Sequence, residues 1–337
     1  MPPSLLSLLL GGAAAHSSLL FPPSRNSIDK LLAPWANGSF GHDQYPDGWG
    51  CDCVNGTAPC EVGQSCYWFS QGCTIGCARC VDVGANPNTE DLCNSSTPPT
   101  VNAPEHRTFN RAVVAGSDAD VYKHNPWRAP GSAPVYDACG MAGGAPTAHA
   151  GEGQYATTVY ARQGDYGSAL PPMPSGVVWR GGDRVEAKWS VRANHGGGYQ
   201  YRLCPRERNL TEACFQERPV AFARKTQLEW ANGTRLTIAS TYVEDGVLPV
   251  GSTWAMNPLP YSNTASPPEF EPPCDELPWP YGDVGLCSGR DPYDVAIVDT
   301  LVVPDVAAGD YVLGFRWDCE KSAQIWQSCA DITITLS

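Results

Sequence analysis

Across 337 residues the chain carries 35 Asp and Glu against 22 Lys and Arg, a formal net charge of −13. That balance argues against nucleic acid or an anionic membrane as partner, because phosphate binding needs clustered cations. The 34 glycines, 31 prolines and 17% charged residues speak against long helices and for frequent turns, and the length suits one large all-β domain or two ordinary ones.

From the start, the apolar run Leu5–Leu10 closed by Ala13-Ala14-Ala15 reads as a secretory signal cleaved after Ala15, although the usual positive charge at the extreme N-terminus is missing. His16 then opens the mature chain and carries two nitrogen donors at one point, a free α-amine and an imidazole. A short helix is expected from Ser27 to Leu32, capped by Asn26 or Ser27 and ended before Pro34. No later apolar run reaches the length of a bilayer span. A secreted, extracellular monomer is expected, with residues 16–337 forming a single domain that carries a Cys-rich insertion at about 51–93.

All 15 cysteines follow the leader, and in a secreted chain they read as disulfides. Five Asn-x-Ser/Thr sequons, at Asn37, Asn55, Asn94, Asn209 and Asn232, agree with a eukaryotic secretory route. Eight cysteines crowd between Cys51 and Cys93. Cys77 and Cys80 there could form half a zinc site, but no second pair accompanies them, and a disulfide knot is the reading adopted. Among the others, local closures Cys204–Cys214, Cys274–Cys287 and Cys319–Cys329 are expected, leaving Cys139 free or paired into the knot.

Residues 123–147 are rich in Gly and Pro and read as a long ordered loop. From about Cys139 onward, segments 153–162, 183–193, 197–204, 234–243, 293–303, 310–319 and 330–336 show period-two alternation or are rich in Val, Ile and Tyr. Without intervening helical periodicity they predict an immunoglobulin- or fibronectin-III-like antiparallel β-sandwich with long disulfide-rich loops. Tyr199 and Tyr201 should share one buried sheet face. Tyr45, Trp49 and Trp68 lie near Gly-rich or Cys-rich loops and, if exposed, would stack on sugar rings.

Of the six histidines, His42, His106, His124 and His149 read as surface groups. His195 differs, because three glycines follow it in NHGGGY. Glycines there let the backbone approach its neighbours closely and leave the imidazole open to solvent or a ligand.

Three stretches taken together, HSSLLFPPSR after the leader, ANHGGGYQYRLCP and GDYVLGFRWDCEKSAQIWQSCADITI, resemble the lytic polysaccharide monooxygenases, closest to the chitin- and cellulose-active types with modules labelled chitin-binding. The resemblance implies one copper ion in a histidine brace. Its ligands would be the amine and imidazole of His16 and the imidazole of His195, a nitrogen set that suits copper. It further implies that Trp326 occupies the axial position usually held by Tyr or Phe, where it either shields the metal or simply packs in the core. Gln324 would hydrogen-bond the oxygen species, while Arg316 and Trp317 read as core or support. The activity implied is oxidative cleavage of β-1,4-linked polysaccharide, chitin or cellulose, with an external reductant and oxygen or hydrogen peroxide as co-substrate.

Two other readings stand beside it. One is a copper- or carbohydrate-binding brace protein without turnover, which Trp326 favours. The other is a structural cell-wall glycoprotein, which the cysteine density favours. A glycosidase is a poor fit, since no spacing singles out two carboxylates, and no nucleophile elbow is visible.

Overall fold

A computed structural model describes residues 16–28, 65–71, 125–147, 155, 157, 160–173, 175–230, 233–259, 295–320 and 322–337. In chain order the strands are β1 (His16–Phe21), β2 (Trp68–Gln71), β3 (Met141–Ala142), β4 (Val178–Arg180), β5 (Arg184–Ala193), β6 (Gly198–Pro205), β7 (Ala221–Trp230), β8 (Arg235–Ile238), β9 (Tyr242–Val243), β10 (Trp254–Met256), β11 (Val295–Val302), β12 (Gly309–Asp318) and β13 (Gln324–Thr335). Between β6 and β7 lies a single helical turn, α1 (Glu212–Gln216), capped by the Thr211 hydroxyl. Among the described residues, no helix is long and apolar enough to cross a membrane.

Sheet A runs β1-β5-β11-β7-β8, and sheet B runs β3-β2-β13-β12-β6-β10-β9. All pairings are antiparallel except that β4 joins β13 in parallel. Period-two patterning accounts for the layers. In β5, Ala187, Trp189 and Val191 all point inward and are fully buried. Trp189 meets the rings of Tyr199, Phe315 and Trp317 at 4.6, 5.1 and 5.6 Å, so aromatic contacts join the two sheets at the centre of the core. The all-β sandwich expected from the sequence is the observed architecture, and residues 125–147 form the expected ordered loop, with only β3 and one 3-10 turn in it.

Several expectations change. The predicted segment 153–162 contributes no strand where it is described. Strand β7 was not expected, because a bulge with Arg224 at φ 55° leaves Ala223 and Arg224 outside the ladder to β11 and interrupts the alternation. Near the N-terminus the described residues hold a 3-10 turn at Arg25–Ser27 whose cap is Ser24, not Asn26 or Ser27; residues 29–32 of the expected helix lie outside the described set.

Cys204–Cys214 is bonded as expected, whereas Cys139, expected to be free or paired into the knot, is bonded to Cys329. Cys319–Cys329 is excluded by register. Cys329 sits opposite Gly314, and Cys319 lies five residues farther along the partner chain, about 17 Å at ~3.4 Å per residue; bridged Cα atoms sit within about 7 Å. Cys319 is free and buried. Cys66, inside the Cys-rich block, is disulfide-bonded, while Cys77, Cys80, Cys274 and Cys287 lie outside the described residues. Trp68 is fully buried and packs edge-on to Tyr155 at 5.3 Å, so it is no sugar platform. Tyr45, Trp49, His42, His106, His124 and His149 are outside the described set.

Tyr199 and Tyr201 do share the buried face, and both hydroxyls donate to Asp299 of β11, each at 3.1 Å. Thr226 of β7 donates to the same carboxylate at 2.8 Å. Asp299 is fully enclosed between the sheets. Burial pushes its pKa up to about 6, partly opposed by these three donors. Because the folded value exceeds the unfolded one, its contribution to stability is fully present below about pH 4 and is lost as pH rises through about 6. Relative to Asp299→Asn, the wild type should therefore lose roughly 2 kcal/mol between pH 4 and pH 7. Urea denaturation of both proteins at the two pH values measures this; parallel pH profiles would contradict it.

Candidate metal centre

The centre is built from the chain's entry into sheet A. β1 opens at His16 itself, whose backbone pairs with Ala193, the last residue of β5. His195 follows Ala193 by two positions, in the four-residue link Asn194–Gly197 between β5 and β6. Backbone pairing thus brings both predicted histidines to the same end of one strand. His195 is half-buried.

The link is fixed from several sides. Asn194 is buried, and its carbonyl oxygen accepts from the Gly196 amide at 2.9 Å and from the Asn257 side chain at 2.8 Å. Its amide donates to the Leu259 carbonyl at 2.7 Å. The His195 carbonyl accepts from the Glu320 amide at 3.1 Å, and the Trp317 indole donates to the Gly196 carbonyl at 2.7 Å. Asn257 also donates its backbone amide to the Gly197 carbonyl at 2.8 Å. The glycines serve this docking: Gly197 has φ 85°, and a Cβ there would lie 2.0 Å from the Asp318 carbonyl oxygen. A Cβ at Gly198 would lie 2.2 Å from the Trp127 ring. Close approach of the backbone, expected from the glycines, is what the structure shows.

Beside the link lies the β12–β13 turn. The Cys319 amide donates to the Gln324 carbonyl at 3.1 Å, and the Trp127 amide donates to the Cys319 carbonyl at 3.1 Å. Gln324 is buried, and its side-chain oxygen accepts from the Ser322 hydroxyl at 3.0 Å. Trp326 pairs with Trp317 across the strands. Its ring is fully buried and stacks on Phe69 at 4.3 Å. Leu19 donates its amide to Ser328 at 3.4 Å and Ser24 bridges Ala330, so traced backward toward His16, β1 heads for the end of β13 that carries Trp326 and Gln324. Arg316 and Trp317 are fully buried, as core or support residues would be.

Among the described residues, no group of three His, Cys, Asp or Glu side chains is placed to hold a metal. Burial holds the Cys319 thiol well above the usual thiol range, so it is an inert neutral group. Asn194, Asn257 and Trp127, which fix the link, were not singled out from the sequence. Only Asn194 gave a local signal, an Asn next to a Gly-rich turn.

No family model matches the chain, and no curated protein does. Solved structures similar to it include a lytic polysaccharide monooxygenase AA15 from Thermobia domestica in the Cu(I) state, at 16% identity over 47% of this chain and 62% of that one, TM-score 0.23. A chitin binding domain from Burkholderia pseudomallei is 13% identical over 95% of this chain and 100% of that one, TM-score 0.35. An AA10 lytic polysaccharide monooxygenase from Streptomyces lividans is 15% identical over 49% and 66%, TM-score 0.22. The chain spans under two thirds of the Thermobia domestica enzyme. Superpositions this loose leave the function to the chain's own residues.

Gly197→Ala should cost roughly 2–4 kcal/mol, through a left-handed φ and a clash with backbone. It should also displace His195. Thermal unfolding and the His195 imidazole NMR signals read the two effects; an unchanged melting temperature would mean that the close approach to Asp318 is not real.

Proposed function

We propose that the chain is a secreted, copper-dependent lytic polysaccharide monooxygenase that cleaves β-1,4-linked polysaccharide, chitin or cellulose. The observation that carries this reading is the pairing of His16 with Ala193, two residues from His195, at the start of a strand. If the leader is removed after Ala15, His16 offers an amine and an imidazole, and His195 offers a second imidazole. An internal histidine could not supply the same chelate, because its nitrogen would be an amide. When bound, copper supplies one-electron redox chemistry, with a reductant and oxygen or hydrogen peroxide as co-substrates.

The chain's own residues would do the rest. The hydrogen-bonded link holds the His195 backbone, and in this reading Gln324 would supply a side-chain amide and Trp326 an apolar ring from the start of β13. A second reading, a brace protein that binds copper without turnover, is favoured by Trp326 itself. Its ring is locked against Phe69 and offers no oxygen.

Turnover on chitin and cellulose, scored as oxidised oligosaccharides by mass spectrometry, separates the two. Copper bound without such products selects the second reading. Protein beginning at His16 should bind one copper ion, and one extra residue before His16 should abolish that binding. Copper must displace protons from an amine with an unperturbed pKa near ~8 and imidazoles near ~6.5, so affinity should weaken by roughly a thousandfold or more from pH 7 to pH 5. Calorimetric titration at the two values tests this, and a pH-independent affinity would remove His16 and His195 as ligands.

His195→Ala should lose copper affinity and oxidative products while lowering stability by no more than about 1 kcal/mol, since a half-buried loop side chain leaves little cavity. A collapsed fold that still holds copper would make His195 structural.

A further inference from the structure

A strand at a chain end and at a sheet edge is where fraying is expected. β1 lies on the rim of sheet A beyond β5, and if the leader is removed after Ala15 it is also a chain end. Yet Ser17, Ser18, Leu19 and Leu20 are all buried, and the residues that follow them are tied to the opposite sheet with unusual density. Arg25, 3% exposed, makes a bidentate ion pair with Asp331 of β13, at 2.7 and 2.6 Å. Asp331 also accepts from the Met173 amide at 2.8 Å, and Arg25 reaches the Leu170 carbonyl at 3.3 Å.

Asn26 is fully buried. Its amide donates to the Cys139 carbonyl, and its carbonyl oxygen accepts from the Cys329 amide, both at 2.8 Å. Its two partners belong to one disulfide, so they cannot separate from each other. The Ser24 hydroxyl accepts from the Asn26 backbone amide and donates to the Asn26 side-chain oxygen, both at 3.0 Å, which orients the side chain.

We infer that Ser24, Arg25 and Asn26 form a clamp that positions His16, docking the N-terminal arm on the Cys139–Cys329 disulfide and Asp331 so that the first residue of β1 is held opposite Ala193. The inference rests on the copper reading for its consequence, and the clamp acts through the strand rather than on the metal. A ligand whose competent geometry is populated only part of the time binds with affinity reduced by that fraction. The clamp raises the fraction of time the arm is docked. Without it, an arm docked between a tenth and a hundredth of the time would bind copper 10- to 100-fold more weakly. The Arg25–Asp331 pair is charge-assisted and the Asn26 side-chain oxygen accepts twice, which gives the clamp its strength.

The test uses protein beginning at His16. Asn26→Ala removes both bonds to the disulfide, and Asn26→Asp keeps the acceptor for the Cys329 amide. Leu228→Ala, in the sheet A core and remote from the arm, serves as a matched loss of stability. Copper affinity by titration and amide exchange of residues 17–20 by mass spectrometry are read on each. Expected are copper binding weakened at least tenfold in Asn26→Ala, partial rescue in Asn26→Asp, wild-type affinity in Leu228→Ala, and faster exchange of the arm in Asn26→Ala alone. Wild-type affinity and protection in Asn26→Ala would overturn the inference, as would an equal loss of affinity in Leu228→Ala. If Asn26→Ala fails to fold, Asn26→Asp and Ser24→Ala carry the same comparison. If the wild type binds no copper, the copper reading fails, and the exchange measurement alone decides whether the clamp holds the arm.

Discussion

Ser17, Ser18 and Leu19 pair with Val191, Ser190 and Trp189, and this short ladder sets the separation of the two histidines. A slip by one residue would turn every side chain of β1 to the other face. Leu19, fully buried among Trp189 and its neighbours, would leave the core, and roughly 2 kcal/mol of burial would go with it. The register of an edge strand is ordinarily weakly specified, but here one apolar residue and a set of remote polar contacts specify it together. His16 opposite Ala193 is the outcome.

The other half of the centre depends on a polar layer outside sheet B. Arg316 is fully buried and forks onto Asp318 at 2.6 and 3.0 Å, reaches Glu212 at 2.9 Å, and donates to the Ala133 carbonyl at 3.1 Å. Asp318 accepts in turn from the Gly131 amide at 2.8 Å. Buried charges are costly unless their hydrogen-bonding capacity is met, and here the protein meets it with backbone groups of the 125–137 loop. That loop is thereby fixed, and it delivers Trp127 to the Cys319 carbonyl and against Gly198. The support of His195 therefore runs outward through Cys319 and Glu320 into a loop that composition alone marked only as ordered.

What was legible follows physical range. Strands β5, β6, β11, β12 and β13 announce themselves by period two, and Cys204–Cys214 by a ten-residue spacing that a short loop can close. His195 stood out because the glycines after it allow close backbone approach, which Gly197 and Gly198 make. What failed was decided far away. Asn26-Ser27 reads locally as the cap of a helix, whereas Asn26 finds partners 113 and 303 residues off, and Arg25 finds one at 306. Trp68 looked available for sugar until tertiary packing against Tyr155 enclosed it. Cys319 and Cys329 are near in sequence, but the hairpin register carries them apart. Of the link between β5 and β6, His195 and its glycines were legible; Asn194, Asn257, Trp127 and Trp317, which fix it, were not read as its supports.

The Cys139–Cys329 bond closes a covalent ring spanning 190 residues. Every strand of sheet A except β1 lies inside it, from β5 through β11. β1 is threaded onto this ring from outside, and Asn26 grips the ring at its closure. In topological terms the arm is a guest in a sheet whose other members are covalently enclosed. It can leave without any strand of the ring being released. Residues 16–28 contain no cysteine, so no sulfur link of their own ties them to the ring that the other strands of sheet A share.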